Sequence, residues 1–121
     1  AKLGILGSSN PGGTGTCGTS PTSILSIAVT IPSGLDAHRR IEVTGNAHIT
    51  TGGGIGCNVT IISNDGFNDS RSINDGNHNG DLGLTIIDTD LTAGARTYSL
   101  QYDTTASTLN YTDPYLVIKV I

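Results

Sequence analysis

The sequence predicts an all-β protein, an antiparallel sandwich of about eight short strands with an extended N-terminal arm. Three observations carry this. Apolar and polar residues alternate with a period of two in run after run, Gly-, Asn- and Asp-rich turns separate the runs, and no apolar period of 3.6 persists over a helix length. The 121 residues amount to about one domain. Its core is poor in rings, since 36% of residues are hydrophobic but only 4% aromatic, with Phe67 the single Phe and no Trp or Met. Buried surface must therefore come from Ile, Val and Leu, which suit strands. A small core of this kind leans on contacts between copies for part of its stability, so an oligomer is expected.

Residues 1–23 open with a small apolar group, Leu3, Ile5 and Leu6, and continue in Gly, Ser, Thr and Pro, a composition that resists packing. They are expected to form the arm, and residues 24–121 the sandwich domain. In "ILSIAVTI" Leu25, Ile27, Val29 and Ile31 face one way and Ser26, Ala28 and Thr30 the other, a half-buried strand that "PSG" at 32–34 ends. "RRIEVTGNAHIT" sets Ile41, Val43, Ala47 and Ile49 against Arg40, Glu42, Thr44, Asn46, His48 and Thr50. Gly45 falls on the apolar face, where it marks either a bulge or a close backbone approach. "GGG" at 52–54 turns the chain into "CNVTIIS", with Cys57, Val59 and Ile61 inward. Two polar loops follow, "NDGFNDS" and "NDGNHNGD", separated by the brief "RSI".

Patterning resumes at "LGLTIIDT", with Leu82, Leu84 and Ile86 on one face, and at "RTYSLQY", with Tyr98, Leu100 and Tyr102 alternating with Thr97, Ser99 and Gln101. In "YLVIKVI" Leu116, Ile118 and Val120 oppose Tyr115, Val117, Lys119 and Ile121, so both faces are largely apolar. Such a strand is either central in its sheet or pressed against a neighbouring subunit. Tyr115, Val117 and Ile121 are the candidate oligomer-interface residues. Short, regularly spaced strands with Gly-rich turns indicate a sandwich or barrel, and a jelly roll is the expected form.

The chemistry visible in the chain is sparse. A net charge of −4 with six scattered basic residues offers no patch for a phosphate backbone, and no apolar run approaches a membrane span of about 20 residues, so neither nucleic acid nor membrane is an expected partner. The apolar start is too short for the core of a secretion signal, so synthesis in the cytoplasm is expected. Cys17 and Cys57 lack metal-ligand spacing and are expected to be buried thiols. Asp75, Asn77, Asn79, Gly80 and Asp81 are spaced like the first half of an EF-hand loop, but the twelfth position, which needs a bidentate carboxylate, holds Ile86. The segment therefore reads as a turn. His38, His48 and His78 have no nucleophile context, and Asp88 and Asp90 no cleft, so no catalytic residue, metal or cofactor is expected. Arg39 and Arg40 suit either contact with an acidic partner or protection of a sheet edge.

In combination, "VTIPSG…RRIEVTGNAHI", "LTAGARTYSLQY" and the closing "DPYLVIKVI" resemble small jelly-roll structural proteins of tailed bacteriophages, found as capsid decoration (cement) proteins and as minor tail or fibre proteins. The opening "KLGILG" is similar too. The resemblance covers most of residues 24–121. It implies scaffold roles for Pro32, Gly34, Arg39, Arg40, Ala93, Gly94, Arg96, Thr97, Tyr98 and Leu100. Such proteins often end in an acidic "VED"-like tail, where this chain has Ile118, Lys119 and Val120. The resemblance further implies a non-enzymatic virion protein, commonly trimeric, that binds the major capsid protein and stabilises the phage head. Leu3, Ile5 and Leu6 of the arm, with Arg39 and Arg40, are then the candidate capsid contacts. The alternative is a tail-fibre domain in which loops 64–70 and 74–81 contact host surface glycans.

Overall fold

The computed structural model describes residues 4–74 and 77–121. Among them nine strands follow one another: β1 (Gly4–Ser9), β2 (Thr14–Cys17), β3 (Thr22–Ile31), β4 (Ile41–Thr51), β5 (Cys57–Ser63), β6 (Asn68–Ile73), β7 (Asn79–Asp88), β8 (Gly94–Thr104) and β9 (Leu109–Val120). No described residue is helical. One sheet has the order β1-β9-β4-β7, with β2 also on β9, and the other the order β3-β8-β5-β6. All pairs are antiparallel. From β2 onward the chain changes sheet at every connection except the β5–β6 hairpin. This is the wrap of a jelly-roll-like β-sandwich.

The alternation read from the sequence sets the core. Val43, Ile49, Val59, Ile61, Leu100 and Ile118 point inward and are fully buried between the sheets. Gly45 is a close approach and not a bulge: a Cβ there would stand 2.7 Å from Leu100 Cδ1, so the Leu100 side chain fills that space. Two tyrosines, Tyr98 and Tyr102, are the largest buried side chains, and Tyr102 satisfies its hydroxyl by donating to the Leu82 carbonyl at 2.5 Å. Strand β9 lies between β1 and β4, so its two apolar faces belong to a central strand.

The expected arm is different. Residues 1–3, Leu3 among them, lie outside the described residues, but residues 4–23 are built into the sandwich. β1 pairs with the Leu116–Val120 half of β9 and β2 with its Leu109–Thr112 half, so the two act as one edge strand broken around Pro11. β3 begins at Thr22, inside the same stretch. Two of the glycines that resemble a linker, Gly7 and Gly15, are packing positions. A Cβ on Gly7 would meet Val29 Cγ1 at 2.8 Å, and Gly15 lies under the Tyr111 ring. Leu6 is half-buried against the core, and Ile5 faces outward. The polar stretch after β5 also differs, because "RSI" is the end of a six-residue edge strand, β6.

Candidate binding surface

Of the candidates, Ile5, Tyr115, Val117 and Ile121 lie on the outer face of the first sheet, and strand register places them. Across four strands one row reads Ile5, Lys119, Glu42, Ile87, since Ile5 opposes Lys119, Lys119 opposes Glu42 and Glu42 opposes Ile87. At strand spacing this row is about 14 Å long. Its centre is an ion pair, Lys119 Nζ to Glu42 Oε1 at 3.1 Å, and its two ends are exposed isoleucines. Ile121 adjoins it, held by reciprocal backbone bonds with Arg40 at 2.9 and 3.1 Å. Among the described residues Ile5, Ile87 and Ile121 are the large hydrophobics that stand exposed, at 64%, 43% and 44%. All three belong to this corner.

Tertiary pairing therefore brings together Ile5, Arg40, Val117 and Ile121, which are far apart in sequence. The side chain of Arg40 is turned back onto its own loop, donating to the carbonyls of Ala37 and Arg39 at 2.8 and 2.6 Å. Arg39 is the more available of the two, with a loose ion pair to Asp36 at 3.7 Å. Leu6 is not part of the surface.

Tyr115 lies two positions from Val117 on the same strand face, at a different feature. A hollow of about 420 Å³ is lined by Thr44, Asn46, Arg71, Asp81, Gly83, Thr85 and Tyr115. Gly83 lets it form: a Cβ there would come within 2.6 Å of Asn46 Oδ1, so the Asn46 side chain lies across the space a larger residue would fill. Arg71 arrives from β6, the edge of the other sheet, and donates from Nη1 to the Gly83 carbonyl at 3.3 Å. No sequence signal announced this site, because its parts come from four strands in two sheets.

The remaining chemistry is structural. Arg96 is buried (4% exposed) and holds the β7–β8 connection. Its Nη1 reaches Asp88 Oδ2 at 3.2 Å and the Asp90 carbonyl at 2.6 Å, its Nη2 donates to the Thr92 carbonyl at 3.2 Å, and its Nε stands 3.3 Å from Asp65 Oδ2 in the β5–β6 turn. Tyr98 completes the set by donating to Asp88 Oδ2 at 2.6 Å. Burial pushes the Tyr98 hydroxyl above its ordinary pKa of 10.0. For Arg96 burial opposes the charge, but the bond to Tyr98 and the fields of Asp88 and Asp65 outweigh it and raise the pKa. Bonds from the Thr92 side chain and backbone hold Asp90 below the ordinary carboxylate value. Asp88 and Asp90, candidates for nothing catalytic in the sequence, are thus ligands of a guanidinium. An arginine on the inward side of the Tyr98–Leu100–Tyr102 alternation was the legible signal.

The segment expected to be a turn is strand from Asn79 onward. Asp75 lies outside the described residues, and Asn79 to Ile86 is β-strand, with Asp81 opposite His48 in the ladder. Among the described residues no three His, Cys, Asp or Glu side chains are grouped to hold a metal ion. Cys17 and Cys57 are both buried, and burial, with the nearby Asp103, raises the pKa of the Cys17 thiol. Of the loops considered for glycan contact, 64–67 is a turn against the Arg96 network, while 68–70 and 79–81 belong to strands.

No family model and no curated protein matches this chain. Solved structures do. A chain in the structure of infectious bursal disease virus Gx strain is similar with a TM-score of 0.53 at 13% identity, over 99% of this chain and 31% of that one. TmCBM61 in complex with β-1,4-galactotriose gives 0.47 at 14% identity, over 78% and 60%. Dimeric latent PorU from Porphyromonas gingivalis gives 0.46 at 10% identity, over 79% and 10%. The chain spans less than two thirds of each of these chains. At such identities the likeness to the first of these structures concerns architecture alone, and the class that the strand order defines is the jelly-roll-like β-sandwich.

Proposed function

We propose that this protein is a non-enzymatic structural component of a phage particle, a decoration protein that binds the major capsid protein and stabilises the head. The observation that carries the reading is the corner formed by Ile5, Ile87 and Ile121 around the Lys119–Glu42 pair. Among the described residues the other large aliphatic side chains are buried or half-buried, and these three stand exposed on one sheet face. The phage-like order of sequence segments supports the same reading. The energetics favour assembly of several copies. Full burial of an isoleucine is worth about 1.5–3 kcal/mol, and less for side chains already partly covered. Association costs an estimated 4–15 kcal/mol in lost freedom, so one corner holds weakly. Three linked corners hold well, because the second and third attachments are intramolecular, and a trimer is the proposed form.

Because β1 and β2 are sheet strands, truncating them would damage the fold, and point substitutions are the cleaner test. Ile5→Ser with Ile87→Ser should leave the far-UV spectrum and the sedimentation of the protein unchanged while reducing its retention on purified heads at least tenfold. Full retention would move the attachment surface elsewhere. Placement on a tail or fibre is the competing reading, favoured by the polar hollow beside the corner. Copy number decides between them: comparable with the shell subunits for decoration, a small multiple of the tail symmetry for a fibre.

A further inference from the structure

Polar residues facing outward across neighbouring strands bond one another at several places on the two sheets but not at all of them, since among the described residues His48 and Thr112, and Thr60 and Ser70, stand opposite without a side-chain bond. Ser26 bonds Ser99 at 2.7 Å, Gln101 bonds Ser23 at 3.0 Å, Ser72 bonds Asn58 at 2.5 Å and Thr16 bonds Asn110 at 3.0 Å. In the hollow Thr44 and Thr85 do the same, at 3.0 Å. Among the described residues, however, the side chains of Asn46, Asp81 and Tyr115 make no hydrogen bond to the protein, and Arg71 makes a single one, to Gly83. A guanidinium has five donors, so most of those of Arg71 remain for a ligand.

We infer that the hollow is a binding site for a neutral saccharide. Its charges select against other ligands. One guanidinium and one carboxylate line the same cavity, so an anion attracted by Arg71 is opposed by Asp81, and a cation meets the reverse. The lining is too polar for a lipid or an aromatic drug-like molecule, with Leu84 its one large aliphatic residue. A polyhydroxyl ligand uses every group present. The carboxylate accepts from hydroxyls, the guanidinium donates to them, the carboxamide of Asn46 does both, and Tyr115 adds a ring for the apolar C–H face of a sugar. Small-molecule clefts run from about 300 to 1,000 Å³, and the 420 Å³ here places the site at the lower end, suited to one or two sugar rings. The site is separate from the Ile5–Ile87–Ile121 corner. Its lining residues are not those of the corner, although Thr85 and Ile87 lie two positions apart on one strand face.

The test is a titration of the ¹⁵N-labelled protein with neutral sugars (glucose, galactose, N-acetylglucosamine, lactose, cellobiose, maltose) at millimolar concentration, with sialic acid and inorganic phosphate as charged probes. At least one neutral sugar should shift the amides of residues 44–46, 81–85 and 115, and Asn46→Ala and Asp81→Asn should each raise its Kd about tenfold with the spectrum otherwise preserved. Ile5→Ser with Ile87→Ser should leave that Kd unchanged, which separates this site from the attachment corner. Shifts produced only by the charged probes, shifts confined to other surfaces, or an Asn46→Ala protein that binds as before would each overturn the assignment. So would the absence of a response to every sugar.

Discussion

The end of the sandwich that carries the β3–β4, β5–β6 and β7–β8 connections is held by charge, whereas the opposite end is held by neutral bonds between backbones. At the first, Arg96 joins Asp65, Asp88 and Asp90 from two different connections and buries its own side chain in doing so. At the second, Thr104 N–H donates to the Gly18 carbonyl at 3.0 Å, Thr105 N–H to the Gly56 carbonyl at 3.0 Å, and Thr51 N–H to the His78 carbonyl at 2.9 Å. The Thr105 hydroxyl accepts from Gly56 N–H at 3.0 Å and that of Thr51 from His78 N–H at 3.1 Å. The difference is one of concentration. At the charged end one side chain gathers the ionic contacts, beside backbone bonds such as those of Arg40 with Ile121, so that network is specific and vulnerable; several bonds share the neutral end, and no single one decides it.

The strongest way to break this contrast is Arg96→Ala. It leaves Asp88 buried without its cation, and removing one partner of a buried ion pair costs about 3–5 kcal/mol. Urea unfolding should show that loss, with hydrogen exchange rising first in residues 64–67 and 89–93. A loss under 1 kcal/mol would mean that the network adds little.

Alkaline pH gives the next effect. Burial raises the pKa of both Tyr98 and Tyr102 above 10.0. In the unfolded chain these phenols ionise near pH 10 while in the fold they keep their protons, so stability is intact below pH 10 and falls as pH rises above it. The slope approaches about 1.4 kcal/mol per pH unit for each group. Tyr98→Phe should reduce that slope by about half, and an unchanged slope would assign the alkaline loss to other groups.

Thr105→Ala probes the neutral end. It removes one hydrogen bond, from Gly56 N–H, and should lower stability by about 1 kcal/mol. A loss as large as that of Arg96→Ala would abolish the distinction between the ends. The smallest effect belongs to Asp90, whose pKa is lowered from 3.8 by Thr92. Its contribution is present above pH 3.8 and disappears as pH falls through the lower folded value. Thr92→Val should bring the folded pKa back toward 3.8, read directly from an NMR titration of the carboxyl.

How much of this was legible in the chain follows from the range of each interaction. Alternation is local, so it placed Ile41, Val43, Ala47 and Ile49 inward on β4 and Tyr98, Leu100 and Tyr102 inward on β8 without knowledge of any partner strand. It also placed Gly45 on the buried face. Composition misled in the first 23 residues, because glycine that permits a flexible linker and glycine that admits a neighbouring ring look the same until Tyr111 is known to lie over Gly15. Ile5 was recognisable as an anchor, but its neighbours Lys119 and Ile87 were not, since they are joined to it only by pairing across β9 and β4.

The sequence by itself determined the all-β class and, for β3, β4, β5, β7, β8 and β9, the strands and their inward faces, because a pleated strand repeats every two residues and each apolar run declares its own period. The tertiary structure alone decided that β1 and β2 close the edge of β9, that Arg96 meets three carboxylates, and that Arg71 of one sheet borders a hollow in the other. Those outcomes depend on which distant strands become neighbours. That choice is made by the packing of the two sheets together and by no single segment.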